Sequence, residues 1–231
     1  MAVTELSLAQ QKELQQQFLQ QGFCVVPALL STELSAFLAE YAVLKRAIKP
    51  NIYRSRSDTL SQIHREYADP AMEVLLSRLH VWVELFTGMS LWPTLSFYYT
   101  YTNGNELKKH KDRECCEVVA CACLGLDPEY QKSKQHWPIY VETLQGEAHP
   151  VCLNPGDVVL FKGSQLNHWR EVFDGKWCVS AIFAYVDRQG ENAFLKYDQR
   201  RALGHKHVGM LFWLLRLGWY RLRAWCGRLG R

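Results

Sequence analysis

Leu153-Asn154-Pro155-Gly156-Asp157-Val158-Val159-Leu160-Phe161 reads as a tight turn feeding a short, fully buried strand. Working outward from it, strand-like runs recur at 94–102, 106–112, 116–126, 138–143, 149–153, 158–161, 167–172 and 177–186. Asn103-Gly104, read as a hairpin turn, Gln145-Gly146 and Asp174-Gly175 supply further turns between them. Eight short strands at this spacing predict a double-stranded β-helix, a jelly-roll or cupin-like pair of sheets, over about 94–186.

The N-terminal third has a different period. Residues 5–20 read as a Gln-rich helix, and Gly22–Pro27 as a short strand ended by proline. Ser31 or Thr32 caps a helix over 32–48, with Leu34, Phe37, Leu38, Tyr41 and Leu44 at helical spacing. The stretch 49–66, with Arg54, Arg56, His64 and Arg65, shows no period and is expected to be a loop; its arginines could meet an anionic substrate. Asp69 as cap, Pro70 at the first helical position and Gly88 as the stop delimit another helix. The expected fold is mainly β with N-terminal helices flanking one outer face of the core.

At 231 residues, with 48% hydrophobic and 13% aromatic residues, the chain is sized for one catalytic domain with a sizeable core. Its net charge of +4 is unevenly placed: residues 199–231 hold eight Lys/Arg and no acid, so residues 1–198 sum to −4. We therefore divide it into a domain over 1–198, helical through residue 90, and a basic tail over 199–231. Within 209–229, Leu211, Leu215, Gly218, Leu222, Trp225 and Leu229 share one side of a helical wheel flanked by arginines. That pattern fits packing on the domain or a partner subunit, or peripheral attachment to a membrane surface. Arg216 interrupts the apolar run too early for a span, and no nucleic-acid motif accompanies the charge. The first residues contain no secretory h-region. The cysteines, including Cys115-Cys116 and Cys121-x-Cys123, lack C-x2-C spacing. Reduced thiols in a cytoplasmic protein are expected.

The chemistry centres on His110-Lys111-Asp112 and, 58 residues later, His168. On a strand, side chains two apart share a face, so His110 and Asp112 are expected to point together, with His168 arriving from a distant strand. Two imidazoles and one carboxylate, with open positions left over, suit a mononuclear Fe(II) that binds a co-substrate and O2. His205-x-His207 mimics a metal pair but has no carboxylate near it. His136 and Trp137 could line a substrate mouth.

The run Tyr101-x2-Gly104-x2-Leu107-x2-His110-x-Asp112, the Pro155–Phe161 turn and strand, and His168 ahead of a basic residue resemble the Fe(II)/2-oxoglutarate-dependent dioxygenases. The first run is similar to that of prolyl 4-hydroxylases, which usually carry a second Tyr where Leu107 stands. The resemblance covers about 94–186. It implies His110, Asp112 and His168 as catalytic iron ligands. It also implies conversion of 2-oxoglutarate and O2 to succinate and CO2 coupled to attack on a C–H bond, with ascorbate as a possible reductant. Halogenating relatives lack the carboxylate at the Asp112 position, so its presence favours hydroxylation, desaturation or ring closure.

The far carboxylate of 2-oxoglutarate needs a cation, ideally the fork of an arginine. Many members place Arg about ten residues after the second His and Ser two further on; here Cys178 occupies the first position, while Ser180 is kept. Two cations could compensate. Arg170 shares the inward face of the His168 strand. Lys176, in Gly175-Lys176-Trp177, is similar to the co-substrate lysine of prolyl 4-hydroxylases. Tyr99 or Tyr101 could add a hydroxyl. The substrate expected is a small molecule such as an amino acid or other metabolite, followed by a peptidyl side chain and then a lipid or carrier-bound chain. A non-catalytic jelly-roll module that binds a metal or ligand is the rival reading.

Overall fold

The computed structural model describes residues 6–48, 63–133 and 137–205. The tail expected at 209–229, together with Arg54, Arg56, His136 and His207, lies outside the described residues.

All three expected long helices form, and their bounds follow from local caps; the first starts at Leu8 rather than residue 5 because Ser7 caps it. In α1 (Leu8–Gln21), Ser7 Oγ accepts from Gln10 N at 3.3 Å, while Gln10 Oε1 accepts from Ser7 N at 2.9 Å. The strand β1 (Phe23–Val26) follows. Ser31 Oγ accepts from Leu34 N at 3.3 Å at the head of α2 (Thr32–Ile48). The expected loop ends in a strand, β2 (His64–Tyr67), which its apolar pattern does not announce. In α3 (Pro70–Thr87), Asp69 accepts from Ala71 N at 3.0 Å and Gly88 closes the last turn.

Eight further strands follow: β3 (Leu91–Tyr101), β4 (Leu107–His110), β5 (Val118–Leu126), β6 (Ile139–Glu142), β7 (Ala148–Val151), β8 (Val158–Phe161), β9 (His168–Arg170) and β10 (Cys178–Asp187). A short helix, α4 (Pro128–Lys132), lies between β5 and β6. The larger sheet has the order β1-β8-β5-β10-β3-β2 and the smaller β4-β9-β6-β7; every pairing is antiparallel.

Alternation sorts the large sheet into two faces. Ala120, Ala122 and Leu124 of β5, Val158 and Leu160 of β8, and Val179, Ala181, Phe183 and Tyr185 of β10 pack in one cluster with α1, α2 and α3. The intervening residues, among them Leu95, Val119, Cys121, Val159, Phe161 and Ala184, meet Ile139, Val141 and Val151 of the small sheet. The expected jelly roll with helices on one outer face is the architecture observed.

Two details differ from expectation. Asn103-Gly104 is not a hairpin turn, because β3 lies in the large sheet and β4 in the small one. The connection is a crossing, held by Gly104 N donating to Phe173 O at 2.8 Å and Asn105 Oδ1 accepting from Thr102 N at 2.8 Å. Second, β4 stops at His110, so Asp112 is not on the strand with it.

The Asn154–Asp157 turn is stapled by one carboxylate. Asp157 accepts from Asn154 N and, 129 residues back in sequence, from Ala28 N, both at 2.8 Å. Such bonds to a charged acceptor contribute about 1.5–3 kcal/mol each. Gly156 has φ +97°, and a Cβ there would stand 2.6 Å from Leu30 O. No other residue fits.

Candidate metal centre and its cavity

β4 and β9 are paired in register with His110 opposite His168, which brings the two imidazoles to 4.3 Å between ring centroids. Asp112 reaches them by a different route. Beyond the strand end, its N–H donates to Gly163 O at 2.9 Å, on the crossing from β8 to β9. Gly163 is required there: a Cβ would lie 2.6 Å from Val119 Cγ2, 2.7 Å from Cys116 O and 2.8 Å from Asp112 Oδ2. The carboxylate then faces both rings, with Oδ1 3.5 Å from His110 Nε2 and Oδ2 3.6 Å from His168 Nε2. Candidate ligand atoms of all three residues lie within 4.8 Å of one another.

The hydrogen bonding fits a metal. His110 Nδ1 is 2.7 Å from Lys108 O, and His168 Nδ1 is 3.2 Å from Leu166 O. A carbonyl can only accept, so each Nδ1 carries a proton and each Nε2 is the ring atom turned to the shared space. Burial keeps the His168 imidazole below its ordinary pKa against the pull of Asp112. At His110 burial acts in the same downward sense, but the bond and charge of Asp112 and the bond to Lys108 O outweigh it, and the net shift is upward. Asp112 Oδ2 is buried with no hydrogen-bond partner. A buried carboxylate oxygen without a donor costs free energy unless a cation supplies the missing contact.

The three residues open onto a cavity of about 750 Å³ between the sheets. Arg170, Ser180, Tyr101 and Cys121 line it together; the walls include Phe97, Tyr99, Ile139 and Ile182; Arg65, Glu66, Tyr67, Lys111, Arg113 and Asp198 also belong to the lining. Arg170 follows His168 by two residues on β9, so both turn inward, and it is 5% exposed. Its guanidinium donates to Trp137 O at 2.8 Å and Ser180 Oγ at 3.4 Å, and lies 4.5 Å over the Trp137 ring. Among the described residues no carboxylate pairs with it. Burial raises the Tyr99 and Tyr101 hydroxyls well above their usual pKa, so both are neutral donors. Lys176 is not at the cavity: its Nζ pairs with Glu129 on the surface. Trp137 backs Arg170 instead of opening a mouth, and His205 is exposed, away from the three metal-facing residues.

Three contributors were not legible as site residues in the sequence: Gly163, Phe161, whose ring is 4.7 Å from that of His168, and Asp198. Asp198 sits in a run with Tyr197 and Gln199 in which all three residues have left-handed φ, of 53–57°. It accepts from Tyr67 Oη at 2.6 Å and faces Arg113 Nη2 at 3.4 Å. Strain of this kind costs about 1–3 kcal/mol per residue and marks a segment over-determined by its surroundings.

No protein-family model matches the sequence, and neither does any curated protein. Solved structures do match. A prolyl-4-hydroxylase from Pseudomonas putida aligns with 78% of this chain and 100% of its own at TM-score 0.59 and 17% identity. SnoN, a non-heme alpha-ketoglutarate-dependent epimerase from nogalamycin biosynthesis, aligns with 88% of this chain and 94% of its own at TM-score 0.64 and 17% identity. An oxidoreductase of the 2OG-Fe(II) oxygenase family from Burkholderia pseudomallei aligns over 82% and 94% at TM-score 0.58 and 14% identity. At such identities the likeness is one of architecture. No helix among the described residues is long and apolar enough to cross a membrane. The chain has the fold of the 2OG-Fe(II) oxygenase family.

Proposed function

We propose that this chain is an Fe(II)- and 2-oxoglutarate-dependent oxygenase that hydroxylates an unactivated C–H bond of a small molecule, with release of succinate and CO2. The observation that carries the reading is Arg170: a buried guanidinium with no carboxylate partner among the described residues, on the same strand face as His168 and in the lining of the cavity they share. An unpaired buried charge is costly, and a dicarboxylate bound with its far end on Arg170 removes that cost.

His110 Nε2, His168 Nε2 and Asp112 would hold the iron, a donor set that suits an ion which must also bind a co-substrate and O2. The bound iron and keto acid supply the oxidising chemistry. The chain's own residues do the rest. Lys108 O and Leu166 O each accept from an Nδ1–H, which leaves Nε2 of each ring as the atom that would meet the ion. Arg170, aligned by Trp137 and Ser180, receives the far carboxylate, and the Tyr101 hydroxyl is the neighbouring donor. Phe97, Ile139 and Ile182 keep water from the reacting end.

The test is succinate release from 2-oxoglutarate by the full chain with Fe(II) and ascorbate, alongside Mn(II) binding. Iron-dependent turnover, lost in His110→Ala, is the expected result. Tight metal binding with no affinity for the keto acid would instead identify a non-catalytic binding module.

A further inference from the structure

Arg170 lines a second cavity, of about 320 Å³, as well as the one that holds the three metal-facing residues. Among the described residues it is the one cation of this second lining, and no Asp or Glu belongs to it. Three thiols do: Cys123, Cys152 and Cys178, with Tyr130 and Trp137 beside them. All three are free; Cys152 is exposed, and Cys123 and Cys178 are buried.

Strand register sets the two buried thiols together. Cys123 of β5 stands opposite Ser180 of β10, and Cys178 precedes Ser180 by two residues, on the same face. The Cys123 thiol hydrogen-bonds Cys178, and so does Ser180. Ser180 Oγ is also the hydroxyl that accepts from Arg170 at 3.4 Å. The bond from Cys123 and the charge of Arg170 together outweigh burial and draw the Cys178 thiol below its ordinary pKa. The same bond, with burial, holds Cys123 well above it. A thiol beside a cation and reached through a cavity is reactive, whereas one buried in apolar surroundings is inert.

We infer that Cys123 and Cys178 are a modification site for hydrogen peroxide, and that the disulfide they form weakens the hold of Arg170 on the co-substrate. The cavity has room for a molecule little larger than water. The Cys178 sulfur attacks one peroxide oxygen, the O–O bond breaks, and the leaving hydroxide takes up the thiol proton as water. Cys123 then attacks the sulfenic sulfur and displaces its hydroxyl as a second water. Two thiols lose two electrons and two protons to one peroxide. Closing an S–S bond of about 2.05 Å draws in two side chains now at hydrogen-bonding separation, and Ser180, their shared neighbour, moves with them. Binding groups tolerate only about 0.5 Å of such displacement, and Arg170 is aligned by that hydroxyl. The effect on the co-substrate rests on the oxygenase reading.

The experiment treats the full chain, before metal is added, with a small excess of hydrogen peroxide, removes the excess with catalase, and maps the cysteines by mass spectrometry of non-reduced peptides. The chain should lose the mass of two hydrogens, with Cys123 and Cys178 joined. Loaded then with Mn(II), the oxidised protein should bind 2-oxoglutarate at least about tenfold more weakly than the reduced protein, and dithiothreitol should restore the affinity. Cys178→Ser keeps a hydrogen-bonding group of similar size. It should bind the co-substrate within about threefold of the reduced wild type and hold that affinity through peroxide treatment. The inference falls if Cys123 and Cys178 stay reduced while Cys152 is oxidised, or if the cross-link joins other cysteines. It falls too if peroxide weakens co-substrate binding as much in a folded Cys178→Ser protein. Failure of 2-oxoglutarate to bind the reduced protein would remove the oxygenase reading, and this inference with it. A Cys123–Cys178 cross-link that leaves the affinity unchanged would remove the inference alone.

Discussion

Two arginines are buried among the described residues, and the two faces of the large sheet treat them in opposite ways. Arg200, reaching in beside β3 and α3, is saturated. It pairs with Glu73 at 3.0 Å and donates to Thr94 O at 2.9 Å and Tyr197 O at 2.8 Å. Glu73 in turn accepts from Ser96 Oγ at 2.7 Å and Gly204 N at 3.0 Å. Arg170, facing the cavity, has a carbonyl, a hydroxyl and the Cys121 thiol as neighbours, and no acid. The charge of Arg200 is closed within the fold; that of Arg170 is not, and Asp112 Oδ2, buried without a hydrogen-bond partner, opens onto the same cavity. A buried cation and a buried carboxylate oxygen, both without their charged partner and both lining one cavity, mark the candidate site without reference to any other protein.

The sharpest break in that contrast comes from the metal-facing residues. Replacing His110, Asp112 or His168 with Ala should abolish iron-dependent succinate release and reduce Mn(II) affinity by more than the roughly 10–100-fold expected for losing a supporting partner. The fold should remain, since none of the three side chains belongs to the hydrophobic clusters that form the core. Circular dichroism and calorimetric metal titration check both halves. A variant that keeps full metal affinity would dissociate the cavity from the proposed centre.

The arginines give the next largest effects, and they should separate cleanly. Arg200→Met leaves Glu73 buried and unpaired, which should cost about 3–5 kcal/mol of stability in denaturant unfolding. Arg170→Met removes a cation that has no acid to abandon, so the unliganded fold should change by less than about 1.5 kcal/mol. Its affinity for 2-oxoglutarate should instead fall by about 2–5 kcal/mol, the cost of deleting one member of a desolvated charge pair. Equal losses of stability in the two variants would show that Arg170 is structural and would take away the main support for the proposed anchor.

Much of this was legible in the sequence because it depends on local rules. Cap residues Ser31, Asp69 and Gly88 act on neighbours within a turn, and the alternation in β5, β8 and β10 is imposed by burial on both faces. The pairing of His110 with His168 followed from residue type and spacing. Its cause did not. Strand alternation predicts that His110 and Asp112 share a face, whereas the strand ends at His110 and the aspartate is delivered by a bond to Gly163, 51 positions on. No local pattern encodes a contact of that reach. The same holds for β2, whose His64-Arg65-Glu66-Tyr67 has no apolar alternation and is a strand only because β3 offers it an edge. Asp198 likewise depends on Tyr67 and Arg113 to hold it in a left-handed backbone.

Gly163 therefore tests the part the sequence did not announce. Gly163→Ala introduces a methyl group that contacts Cys116 O and Asp112 Oδ2 at under 3 Å, and a backbone carbonyl cannot give way as a flexible side chain would. The variant should fold with a loss of about 1–3 kcal/mol. Metal affinity should drop about 10–100-fold because the carboxylate is displaced relative to the two rings. Unchanged Mn(II) binding would mean that Asp112 is placed by something other than the crossing between β8 and β9.

The smallest effect belongs to Lys176, the other cation that sequence reasoning put forward as the co-substrate anchor. It precedes β10, its N–H donates to Asp127 Oδ2 at 2.9 Å, and its ammonium group is solvent-exposed beside the equally exposed Glu129. A charge in that position is screened by water and salt, and it lies outside the cavity lining that Arg170 shares with His168. Lys176→Gln keeps the backbone N–H and so leaves the tie to Asp127 intact. The KM for 2-oxoglutarate should then stay within about twofold of wild type, set against the hundredfold scale expected at Arg170. Should Lys176→Gln weaken the co-substrate as severely as Arg170→Met, the anchor would have to be sought on the surface side of β10, and an unpaired buried guanidinium would no longer mark where the keto acid binds.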